Sequence, residues 1–77
     1  MEKRRIFSIE KPLEGYKEVI VYAPHIDDAS GMSIYPVDID GMQCNIHYST
    51  KVLGTADADI PEKLLRVINM VLDDYNL

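Results

Sequence analysis

Tryptophan is missing from these 77 residues, and phenylalanine and cysteine occur once each, as Phe7 and Cys44. A lone cysteine rules out an internal disulfide. Secreted domains of this size are usually cross-linked, so a reducing, cytoplasmic setting is expected. No apolar run approaches the roughly 18–20 residues of a membrane helix, so no membrane partner is expected. Met1–Ser8 starts with charge and has no long apolar stretch behind it, so it does not read as a signal peptide.

Basic charge is also scarce. Residues 1–17 hold Lys3, Arg4, Arg5, Lys11 and Lys17 against Glu2, Glu10 and Glu14, a balance of +2. Residues 18–77 hold Lys51, Lys63 and Arg66 against ten acids, a balance of −7. A body of that sign repels phosphate backbones, which argues against nucleic acid as a partner. The Lys3-Arg4-Arg5 cluster is too short to reverse this and reads as a solubilising tail beside a strand edge.

What is present describes one domain over 1–77 with a thin core, since a chain this short buries only roughly 60% of its unfolded surface. Ile6–Ile9 reads as a short strand closed by the Lys11–Gly15 turn. Glu18–Ala23 is β-branched and stops at Pro24. Gly54–Asp59 reads as a polar linker. Asp59 and Glu62 have the spacing of a capping box, with Pro61 in the first turn, and predict a helix from about Ile60 to Tyr75. Leu64, Leu65, Ile68, Val71, Leu72 and Tyr75 form its core stripe, and Val67 and Met70 widen it. The fold class is therefore α+β. A small antiparallel sheet of three to four strands over 1–53, in the order β-β-β-β-α, carries one C-terminal helix (60–75) on one face.

The hairpin across Asp40-Gly41 carries the clearest signal, because a type I′ turn demands positive φ at both central residues. With those two as the loop, Ile39 faces Met42, Val37 faces Cys44, Tyr35 faces Ile46 and Ser33 faces Tyr48. That face is almost wholly apolar, whereas Pro36, Asp38, Gln43, Asn45, His47 and Ser49 share the other with Ile34. A slip of one residue would destroy the segregation. In this register the missing N–H of Pro36 points away from the hairpin partner, so the strand is expected to be an edge, or bulged, at that point.

Three motifs invite chemistry. Val19–Gly31 reads VIVYAPHIDDASG, a strand running into Ala-Pro-His-X-Asp-Asp. This is similar to the start of the LmbE-like zinc-dependent N-deacetylases, where a strand leads to His-Pro-Asp-Asp-Glu. The resemblance implies His25 and Asp28 as zinc ligands and Asp27 as the base on a metal-bound water. It covers about seven residues. Ile26 and Ala29 replace the motif's proline and glutamate, and the large α/β domain that brings the third ligand cannot fit here. The alternative, in which Pro24 ends a strand and Asp27, Asp28, Ser30 and Gly31 form a solvated turn, is simpler. Asp38–Gly41 fails as a calcium loop, because its first and twelfth positions would be Pro36 and His47. Cys44 and His47, three apart on one strand, point to opposite faces and form no dyad, so Cys44 reads as a small core residue.

These observations favour a non-enzymatic protein-binding module without cofactor, of the kind seen among small acidic inhibitors, immunity proteins and phage-encoded antagonists. The expected partner surface comprises Asp27, Asp28, Asp38, Asp57 and Asp59 with the apolar Tyr22 and Ile34, on the sheet face opposite the helix. That face would hold Ile34 with either Ile20 and Tyr22 or Val19 and Val21, depending on the orientation of the second strand. A homodimer is expected from the thin core. The alternatives are a metal or small-ligand site at His25, Asp27 and Asp28, and an accessory subunit of a larger assembly.

Overall fold

The computed structural model describes residues 4–49 and 52–76, with backbone alone at Val52 and Leu53. Lys3 of the basic cluster and Lys51 lie outside the described residues. The order of elements is β1 (Arg5–Glu10), β2 (Glu18–Tyr22), β3 (His25–Ile26), β4 (Ser33–Ile39), β5 (Met42–Ser49), β6 (Val52–Ala56) and α1 (Glu62–Tyr75). The strands form one antiparallel sheet in the order β1-β2-β4-β5-β6, and β3 pairs with β4 beyond the end of β2. The class is thus α+β, with more strands than the three to four expected.

The turn between β4 and β5 has φ of 50° at Asp40 and 91° at Gly41, the two positive values a type I′ turn needs. The register that follows is the expected one, from Ile39↔Met42 to Ser33↔Tyr48. It places Tyr35, Val37, Ile39, Cys44, Ile46 and Tyr48 on one face, where all are buried with Val19 and Val21. Leu64, Ile68 and Leu72 of α1, spaced at i, i+4 and i+8, close the core and are fully buried. Each contributes roughly 1.5–3 kcal/mol by leaving water. Tyr75 departs from the expected stripe. It is exposed, although its ring still meets Phe7 at 5.4 Å.

Polar bonds hold the helix along one side. Tyr48 and Tyr35 are buried to their hydroxyls and stand edge-on, 5.8 Å apart. The Tyr48 hydroxyl donates to Asp73, and Asn76 Nδ2 donates to the Tyr35 oxygen at 3.1 Å. Burial, with the Asp73 carboxylate adding to it, pushes the Tyr48 hydroxyl up to about 12. Asp73 lies in the last turns of α1, where a negative charge opposes the helix dipole. Its bond to Tyr48 gives it a structural task.

Two expectations fail. Asp59 does not cap the helix. Pro61 occupies the N-cap position, and no side chain bonds there. Proline at that place ends the preceding extended chain and starts α1 at Glu62, two residues later than read. The supposed linker is in part the edge strand β6. Its polarity hid it, and so did Gly54, a residue that normally weakens a strand. The β5–β6 register shifts between His47 and Ser49, which marks a bulge on the β6 side. A Cβ built on Gly54 would lie 2.7 Å from the His47 carbonyl oxygen and 3.1 Å from Asn69 Oδ1. Glycine is thus required by close approach. Its N–H donates to that Asn69 oxygen at 2.9 Å.

Gly54→Ala is expected to destabilise the protein by about 1–3 kcal/mol, because the backbone of β5 or the Asn69 contact must move. Urea unfolding of the two proteins measures this, and an unchanged midpoint would contradict the close approach.

Candidate binding face

The side of the sheet turned away from α1 is assembled row by row from the register. Side chains alternate along each strand, so cross-strand partners share a face. Ser8, Ile20, Asp38 and Gln43 form one row. Arg5 pairs with Tyr22 on the same face, Pro36 pairs with Asn45, which Asp57 bonds, and Glu10 and Glu18 pair at the far end. Ile20, Tyr22, Ile34 and Pro36 are all half-buried here. They form an apolar centre with no covering helix. The open choice on β2 is resolved: Ile20 and Tyr22 face this side, while Val19 and Val21 face the core.

His25 reaches this face through a bulge. Val21 pairs with Val37 and His25 with Ile34, so Tyr22, Ala23 and Pro24 stand opposite only Tyr35 and Pro36. Two prolines meet where the ladder is broken, as the missing N–H of Pro36 requires. Ala23 turns to β1 instead and donates to the Arg4 carbonyl at 2.7 Å. The extra residue reverses the alternation. His25 therefore joins the open face in a row with Ile34, His47 and Thr55.

The aspartates after His25 form a turn. Asp27 accepts from the Ser30 hydroxyl at 2.8 Å and from the Ala29 N–H at 3.3 Å, and its carbonyl accepts from the Gly31 N–H. The Ser30 and Ala29 bonds hold the carboxyl below its ordinary range, and His47 and His25 add to the effect. Asp28 is exposed in the same loop. Among the described residues, no group of three or more His, Cys, Asp or Glu side chains is placed to hold a metal ion.

The remaining expected acids separate. Asp38 lies on the open face and accepts from the Gly41 N–H at 2.7 Å. Asp57 extends the β6 edge: its N–H donates to the Asn45 carbonyl, and its carboxylate accepts from the Asn45 N–H (2.8 Å) and Nδ2 (2.9 Å). Those Asn45 bonds hold its carboxyl low. Asp59 lies in the connection between β6 and α1, off the sheet. Sequence reasoning placed Pro36 on this face beside Ile34 but passed over Glu10 and Glu18. The missing clue was their alternation with the core-facing positions Ile9 and Val19. Asp40, also passed over, accepts from the Glu18 N–H (2.8 Å) and the Lys17 N–H (3.0 Å), which ties the β1–β2 loop to the hairpin. These bonds hold its carboxyl below the usual range. Beside it, a shallow hollow is walled by Lys17, Glu18, Ile20, Asp38, Asp40 and Gly41.

Asp27, Asp40 and Asp57 share one direction of shift, and this sets a pH dependence. Their folded pKa lies below the unfolded value, so their contribution is complete above the unfolded value, near pH 4, and is lost as pH falls through the folded value. Urea midpoints are expected to fall from about pH 5 downward, and Asp40→Asn should flatten that slope. A midpoint constant or rising over this range would contradict the assigned bonds.

No helix among the described residues is long and apolar enough to cross a membrane. Comparison with protein-family models, with curated proteins and with solved structures finds no match to this chain.

Proposed function

We propose that the chain is a small, acidic, non-enzymatic binding module that docks a basic protein surface on the uncovered side of its sheet. One observation carries the reading: Ile20, Tyr22, Ile34 and Pro36 stand side by side on the face without a helix, and the carboxylates on that face are Glu10, Glu18, Asp38 and Asp57. An apolar centre with a charged rim is the usual anatomy of a protein interface. Rim charge sets association rate and choice of partner more than affinity, so the −7 body selects a cationic partner. A module of this size and charge suits inhibition or antagonism of a basic protein in the cytoplasm.

Asp27, Asp38 and Asp57 already accept hydrogen bonds within the fold. Their carboxylates are therefore held in place before a partner arrives, which reduces the entropy lost on binding. Asp28 and Asp59, off the sheet, contribute long-range attraction only.

The test uses the intact chain as bait in extracts of its native cell, beside Ile34→Glu and Met70→Glu. Met70 is exposed on α1, away from the face. A basic protein retained by the wild type and Met70→Glu, released by salt, and lost by at least tenfold with Ile34→Glu supports the proposal. Equal retention by Ile34→Glu would refute it.

A further inference from the structure

We infer that β1 is a pairing edge for a second copy of this chain, and that two copies join β1 to β1 across a two-fold axis at Ser8 into one continuous sheet. The two edges of the sheet are treated differently. On β6, the Gly54 N–H is taken by Asn69 of the helix, and the strand is bulged. On β1, the far side meets no strand among the described residues.

The direction of the free backbone groups follows from the ladder. The Asp40 N–H donates to the Glu18 carbonyl, so Glu18 and Ile20 point to β4, and Val19 and Val21 point to β1. Their partners Ile9 and Phe7 then point inward, as does Lys11, whose N–H donates to the Lys17 carbonyl. Ser8 and Glu10 are left pointing outward, while Ile6 lies within the register shift between Arg5 and Phe7. A two-fold axis at Ser8 lets Ser8 bond Ser8 of the second copy in both directions and sets the outward-pointing Glu10 beside the bulge of the second copy.

The side chains agree with this register. Phe7, on the core face, falls opposite Ile9 of the second copy, also on the core face. The register of β1 shifts between Arg5 and Phe7, so Ile6 is the extra residue of a bulge and Arg5 keeps the open face beside Tyr22. Arg5 is thereby brought next to Glu10 of the second copy, on the same face and of opposite charge. An antiparallel arrangement about Ser8 matches faces and brings opposite charges together, and every contact occurs twice. Half-burial of Ile6, Phe7 and Ile9 fits a strand whose apolar side chains are incompletely covered in one copy. The inference does not rest on the proposed binding face, which stays open in the dimer.

Sedimentation equilibrium of the full chain, up to about 1 mM, tests it. The wild type and Ser8→Ala should approach twice the chain mass of 8.8 kDa. Ser8→Pro should stay monomeric with an unchanged circular-dichroism spectrum: apart from the hydroxyl that accepts from Arg5 at 3.0 Å, which Ser8→Ala also removes, it takes away only an outward N–H of an edge strand. Arg5→Glu should weaken association by about tenfold, and adding Glu10→Arg should restore it. A wild type monomeric throughout, a Ser8→Pro protein that still dimerises, or a charge swap that fails to restore association would each overturn the pairing. Loss of partner capture with dimerisation intact would count against the binding face alone.

Discussion

The structure depends on the backbone turn at Asp40-Gly41. Two consecutive positive φ values are available to Asp and Gly at little strain, and they allow a two-residue loop whose twist matches its strands. Once that loop is fixed, every partner of β4 on β5 is fixed, and so is the side each residue faces. The buried list on β4 and β5, from Tyr35 to Tyr48, is the set this register selects. Asp40 extends the constraint, since its carboxylate holds the backbone of Lys17 and Glu18 and so places β2. The division into a helix-covered face and a bare one follows from a single turn.

Two interruptions modify this plan, and both occur where a backbone group cannot be satisfied in the ladder. At Ala23-Pro24, the N–H groups missing from Pro24 and Pro36 make regular pairing impossible. The extra residue rotates His25 onto the bare face. At Gly54, the bulge frees a backbone N–H at the sheet edge, and Asn69 of the helix accepts it. The helix is thus fastened by Asn69, Asp73 and Asn76 along one side, in addition to the apolar seam of Leu64, Ile68 and Leu72. The Asn69 bond also occupies an edge N–H of β6.

The strongest local signals were legible in the sequence. The β4–β5 register, the helix seam, the burial of Cys44 and the irregularity at Pro36 could all be read from turn chemistry and alternation. β6 could not. Gly54 and Ala56 carry little strand preference, and the need for Gly54 arises partly from a helix residue fifteen positions later. The capping box misled because Asp59–Glu62 has the right spacing, whereas Pro61 starts the helix in an extended conformation. The candidate surface was half legible. Ile34 and Tyr22 were expected on it, but the phase of β2 could be set only by its pairing with β4. His25 needed the bulge to be known.

The face that results is apolar at its centre and acidic at its rim, on a chain whose helix is already committed to the opposite side. The central claim is that α1 covers one side of the sheet and that the side carrying Ile20, Tyr22 and Ile34 has no helix on it. Proton–proton distance contacts in solution test it most directly. The account predicts contacts from Ile34 to His25 and His47, and from the methyl groups of Leu64, Ile68 and Leu72 to Val37, Ile46 and Tyr48. Contacts from those helix methyl groups to Ile20 or Ile34 would contradict it.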